Sequence, residues 1–95
     1  MPKTQTVARF EIPYYRFLDP QGRVEQSLPE FAHDLSFLEK LYEMMVQTRV
    51  FDTKAINLQR TGKMGTYPST LGQEAIAVAI GAMMADEDVL CPYYR

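Results

Sequence analysis

Thr70-Leu71-Gly72-Gln73-Glu74-Ala75, the apolar run Ile76 to Ala85, and the closing Asp86-Glu87-Asp88-Val89-Leu90-Cys91-Pro92-Tyr93-Tyr94-Arg95 decide the fold reading. Thr70 and Gln73 stand at capping-box spacing, which predicts a helix start. From Ala75 to Ala85 every residue is apolar or glycine, the pattern of a helix buried on all sides. Asp86-Glu87-Asp88 reads as an acidic turn and Val89-Leu90-Cys91 as a short, fully buried strand of the kind parallel sheets use. A helix, a strand and a polar-tipped loop make the opening of an α/β domain. In 95 residues such an all-apolar helix finds little to cover it, so a further part of the domain or a partner is expected to do so.

Upstream, Ser36 and Glu39 also have capping-box spacing, predicting a helix from Phe37 to Thr61. Leu38, Leu41, Tyr42, Met45, Thr48, Asp52, Ala55 and Ile56 recur at three- and four-residue steps to form its inward stripe. Gly62 supplies a left-handed stop. Lys63 to Ser69 then reads as a loop broken by Gly65 and Pro68. Residues 1–33 have scattered aromatics and turn signals at Asp19-Pro20-Gln21-Gly22 and Leu28-Pro29, but no sustained period. They read as an extended arm, and 34–95 as the incomplete beginning of the α/β domain.

Composition narrows the function. A hydrophobic share of 46% and a net charge of −2 describe a globular protein with no electrostatic footprint for nucleic acid. Charges of both signs are interspersed, no apolar stretch approaches membrane length, and the polar Met1 to Arg9 lacks a secretory core. One cysteine, Cys91, allows no internal disulfide; inside the expected strand it reads as inert packing. Met44, Met45, Met64, Met83 and Met84 read as core or interface filler. His33 is the only histidine and reads as a solvated loop residue, with no ligand cluster around it.

The residues with chemical potential lie after the expected strand, where ligands of open α/β sheets bind. Arginine offers a planar fork of permanent donors suited to paired phosphate oxygens, and a tyrosine hydroxyl adds one bond. The competing reading is a surface arginine packed on tyrosines.

From about Glu11 to Arg95, and above all in Met44 to Arg60, Thr66-Tyr67, Gly72-Gln73-Glu74-Ala75 and Tyr93-Tyr94-Arg95, the chain resembles the alpha subunits of the thiamine-diphosphate-dependent 2-oxo acid dehydrogenases. The resemblance implies Tyr94 and Arg95 as ligands of the cofactor diphosphate and Thr66 and Tyr67 as part of the substrate side. Thr66 departs from the aromatic residue common there, so Tyr67 is expected to supply the bulk. No residue of this chain is expected to be catalytic, and Glu74 is taken as structural. The Gly-Asp-Gly and asparagine-pair signature that grips Mg2+ in the family is absent from the 95 residues, so the metal ligands are expected downstream.

The implied activity is oxidative decarboxylation of pyruvate, with branched-chain 2-oxo acids or acetoin as alternatives and a non-catalytic assembly module as the reading from a different class. Implied partners are a beta subunit and a lipoyl-bearing acyltransferase, with no nucleic acid or membrane. The leader, too short for a mitochondrial presequence, favours a bacterial cytoplasm over a mitochondrial matrix.

Overall fold

The computed structural model describes residues 1–94. The chain forms two units, Met1–Glu30 and a second from Phe31 onward, each considered by itself.

In the first unit, the aspartate of Asp19-Pro20-Gln21-Gly22 organises a tight reversal. Its Oδ1 accepts the backbone N–H groups of Gln21 and Arg23, both at 2.8 Å. Its Oδ2 accepts from Arg23 Nε at 2.7 Å, and these bonds hold the carboxyl below its usual range, the Arg23 backbone N–H most of all. Gly22 takes a positive φ of 78°, and the flanks meet in an antiparallel bridge, Leu18 to Val24. Arg16 grips Glu25 with two parallel bonds of 2.6 and 2.8 Å, a fork geometry that arginine favours. The expected arm thus turns back on itself at this point, while Phe10, Ile12, Tyr14 and Tyr15 remain exposed.

A 3-10 turn at Glu30–His33 leads into helix α1, Leu35–Arg60, and α1 is followed by helix α2, Glu74–Met83. α1 starts two residues earlier than the capping-box reading placed it, because Asp34 is the cap. Its Oδ1 accepts from Phe37 N–H at 3.1 Å and from the Ser36 hydroxyl at 2.8 Å. Ser36 therefore supports a stronger acceptor instead of capping the helix itself. At the other end Gly62, with φ 70°, sends its N–H to Gln59 O, and Lys63 N–H reaches Leu58 O at 2.9 Å. That pair of bonds is a Schellman motif, so the expected glycine stop forms.

α2 packs antiparallel on α1. Phe37 and Leu41 near the start of α1 face Ala82 and Met83 at the end of α2, and Arg49 faces Glu74 at its beginning. The stripe read from the sequence is the packed one: Leu38, Leu41, Met45, Thr48, Asp52, Ala55 and Ile56 are all at least partly covered, and Tyr42 alone of that set turns outward.

α1 covers only one stripe of α2: Val78 is 6% exposed, while Ile76, Ile80 and Met83 are 66%, 52% and 79% exposed, the apolar face for which the sequence calls on a further part of the domain or a partner. One expectation fails. Val89-Leu90-Cys91 forms no strand, since among the described residues no partner backbone lies alongside to satisfy its N–H and C=O groups. Cys91 is accordingly exposed, and Met44 and Met83 are exposed instead of filling a core. The described residues are therefore helical, with a single isolated bridge.

A Cβ at Gly62 would meet nothing within 4 Å, so only its left-handed backbone demands glycine. In the intact protein Gly62→Ala is expected to lower stability by about 1 kcal/mol, and Gly62→Asn by less. The midpoint of urea unfolding measures this, and an unchanged midpoint for alanine would contradict it.

Candidate functional site

Asp52 lies on the inner stripe of α1 and is 3% exposed. A carboxylate in that position needs partners, and the loop before α2 supplies all of them. Thr70 N–H donates to Oδ1 at 2.7 Å, Ser69 Oγ to Oδ2 at 2.7 Å, Tyr67 Oη to Oδ1 at 3.0 Å, and Thr70 Oγ1 to Oδ1 at 3.2 Å. The Thr70 backbone bond, then the Ser69 hydroxyl, hold the Asp52 carboxyl below the usual carboxylate range despite its burial. Burial first, and the Asp52 carboxylate second, push the Tyr67 phenol up.

One turn earlier on α1, Arg49 pairs with Glu74, the first residue of α2, through Nε and Oε1. Glu74 is 4% exposed, and the arginine hydrogen bond is the largest influence lowering its carboxyl. Two turns beyond Asp52, Gln59 Oε1 accepts the Tyr67 backbone N–H. Three residues of α1, Arg49, Asp52 and Gln59, thus fasten the segment from Tyr67 to Glu74.

Between these anchors the chain reverses, with Gln73 N–H bonding to Thr70 O at 2.9 Å. Gly72 has φ 85°, as the third residue of a type II turn requires. The left-handed backbone alone calls for glycine here, since nothing lies within 4 Å of a Cβ built at Gly72. No capping box forms, because the Thr70 hydroxyl is committed to Asp52 and Gln73 caps α2 without a side-chain bond. Glu74 opens α2 in its ion pair with Arg49.

A groove of about 380 Å³ runs along α2, with Thr70, Gln73 and Ile80 among its walls and Leu90, Pro92 and Tyr93 closing another side. The structure thereby brings the loop before α2 and the chain leading to Tyr94 to one concavity. Tyr94 is 71% exposed and stacks edge-on against Tyr93 at 4.4 Å, and Arg95 lies outside the described residues. Thr66 is exposed. Tyr67 packs its ring edge-on to Phe51 at 6.3 Å and commits its hydroxyl to Asp52. Among the described residues no group of three or more His, Cys, Asp or Glu is placed to hold a metal ion, and His33 is exposed at the end of its 3-10 turn.

A family model described as the dehydrogenase E1 component matches residues 42–95, which contain this whole anchored loop, α2 and the tyrosine-bearing segment. The chain belongs to the dehydrogenase E1 component family. Among curated relatives, the pyruvate dehydrogenase E1 component subunit alpha of Staphylococcus epidermidis is 37% identical over 93 residues, covering 96% of this chain and 24% of that protein. The subunit of the same name from Bacillus cereus is 39% identical over 90 residues, 93% of this chain and 23% of its own. The 3-methyl-2-oxobutanoate dehydrogenase subunit alpha of Mycobacterium tuberculosis is 44% identical over 75 residues, 79% of this chain and 19% of its own. This chain therefore spans about a quarter of the length of the E1 relatives it matches. No solved structure matches it, and no described helix is long and apolar enough to cross a membrane.

Asp52 was read from the sequence as one more member of the helix stripe, and its anchoring role was missed. The available signal was a carboxylate on a largely apolar stripe, followed by a short loop holding four hydroxyl side chains, Thr66, Tyr67, Ser69 and Thr70.

Because the folded Asp52 carboxyl is more acidic than in the unfolded chain, its contribution is complete above roughly pH 4 and is lost as pH falls through its lowered folded value. Glu74 acts in the same sense. The urea midpoint of the intact protein is expected to fall as the pH drops below roughly 4.5, with a shallower slope in Asp52→Asn. Identical slopes for the two proteins would remove Asp52 from the explanation.

Proposed function

We propose that this chain is the amino-terminal part of the alpha subunit of a thiamine-diphosphate-dependent pyruvate dehydrogenase, acting in a heteromer with a beta subunit. The observation that carries the reading is identity of 37% and 39% along nearly the whole chain to bacterial subunits bearing that name. In this reading pyruvate is decarboxylated oxidatively and the acetyl group passes to lipoyl arms of an acyltransferase, in a bacterial cytoplasm. Residues 1–33 are the arm, and 34–95 open an α/β domain whose parallel sheet and remaining helices cover the exposed apolar face of α2.

When bound, thiamine diphosphate supplies the carbanion chemistry that decarboxylation of a 2-oxo acid needs. The donors of this chain suit its diphosphate: the exposed Tyr94 hydroxyl is available for one hydrogen bond, and the guanidinium of Arg95 suits paired phosphate oxygens. Thr66 and Tyr67 form part of the substrate side, Tyr67 through its ring and backbone because its hydroxyl is engaged by Asp52. The Mg2+ ligands belong to residues outside these 95.

A second reading, a branched-chain 2-oxo acid dehydrogenase alpha subunit, draws support from the higher identity of the mycobacterial relative, 44%, over a shorter span. The two are separated by substrate turnover. Full-length protein assembled with its beta subunit is expected to release carbon dioxide from pyruvate only with thiamine diphosphate and Mg2+. It is expected to prefer pyruvate over 3-methyl-2-oxobutanoate by about tenfold or more in kcat/KM. The reverse preference would overturn the pyruvate assignment, and no decarboxylation of either acid would overturn the enzyme reading.

A further inference from the structure

We infer that Asp52, from inside α1, is a positioning residue for the substrate loop: it sets the backbone of Tyr67 to Thr70 and so the pose of Thr66 and Tyr67. The inference rests on the proposed placement of Thr66 and Tyr67 on the substrate side. Its physical ground is separate. Asp52 belongs to a helix, a rigid element, whereas the loop it holds has no regular structure of its own from Lys63 to Ser69.

Loop residues make precise contacts only when a supporting shell fixes them. Here the shell is one carboxylate that takes four donors from three loop residues. Ser69 Oγ continues the chain of bonds by accepting Leu71 N–H at 3.2 Å. Gln59 and Arg49 secure the two ends, Tyr67 and Glu74, but between those ends the described loop hydrogen bonds to α1 all converge on Asp52. Asp52 is buried behind the loop, so it holds the loop's rear while Thr66 stays exposed in front. It acts through other residues and touches no reacting atom.

The experiment uses the assembled full-length enzyme with Asp52→Asn, which keeps the shape and one acceptor but removes the charge that strengthens all four bonds. Two readouts are taken. Hydrogen exchange at the Thr70 amide, which needs no ligand, is expected to speed up by about tenfold. The KM for pyruvate is expected to rise by about tenfold while kcat at saturating pyruvate changes less than about threefold. The double variant Tyr67→Phe with Ser69→Ala, which removes two donors and leaves the carboxylate, is expected to give an intermediate KM.

Unchanged Thr70 exchange in Asp52→Asn would overturn the anchoring, whatever the activity. Faster exchange with an unchanged pyruvate KM would overturn the link to substrate. Should Asp52→Asn fail to assemble, the double variant carries the same two readouts and the same two ways to fail. A wild-type enzyme inactive on pyruvate would sink the proposed function and the substrate link with it, while the exchange result still decides the anchoring.

Discussion

A carboxylate placed inside a helix contact imposes a constraint that apolar packing does not. Asp52 can stay ionised where it is only if donors surround it, and each donor must arrive at a fixed direction and distance. The loop from Tyr67 to Thr70 meets that condition with one phenol, two aliphatic hydroxyls and one backbone N–H. The loop from Tyr67 to Thr70 takes a conformation that satisfies this group, and the type II turn at Gly72 continues from it into α2. Arg49 and Glu74 repeat the logic one turn away, where a nearly buried glutamate is paired with an arginine that remains partly in water.

This polar fastening matters more because the apolar packing is thin. Among the described residues only Ala55 and Val78 are buried hydrophobics. Two helices sharing one stripe cannot build a core, since each offers the other a single face. Specific, directional bonds therefore set the geometry of the α1 to α2 unit, while Ile76, Ile80 and Met83 keep apolar surface available on the far side of α2. A residue such as Tyr67 illustrates the division: its ring packs on Phe51, and its hydroxyl fixes where that ring can sit.

Part of the local structure was legible in residue order, for reasons that differ by residue. Gly62 was readable as a stop because a left-handed position is almost a glycine monopoly. Glu74 was readable as a first-turn residue of α2 because a carboxylate there suits the helix dipole. The cap was misplaced because Ser36 and Asp34 are both good caps, and only the geometry shows the hydroxyl donating to the carboxylate. Thr70 was misread for a related reason: a threonine before a helix has a local use, and here a residue eighteen positions earlier in the chain outcompetes it. The strand at Val89 to Cys91 was inferred from hydrophobicity, which reports a preference for burial and not the presence of a neighbouring backbone.

By itself the sequence determined the local, periodic features. These are the long first helix and its inward stripe, the glycine at its end, the apolar character of the second helix, and the membership of a family with recognisable short motifs. Such properties depend on residues within a few positions of one another, so they can be read without knowing the fold. Tertiary structure alone decided the partnership of Asp52 with Tyr67, Ser69 and Thr70, the pairing of Arg49 with Glu74, and which stripe of α2 is covered. Those outcomes depend on the distance and direction between groups on different elements, which no one-dimensional spacing encodes.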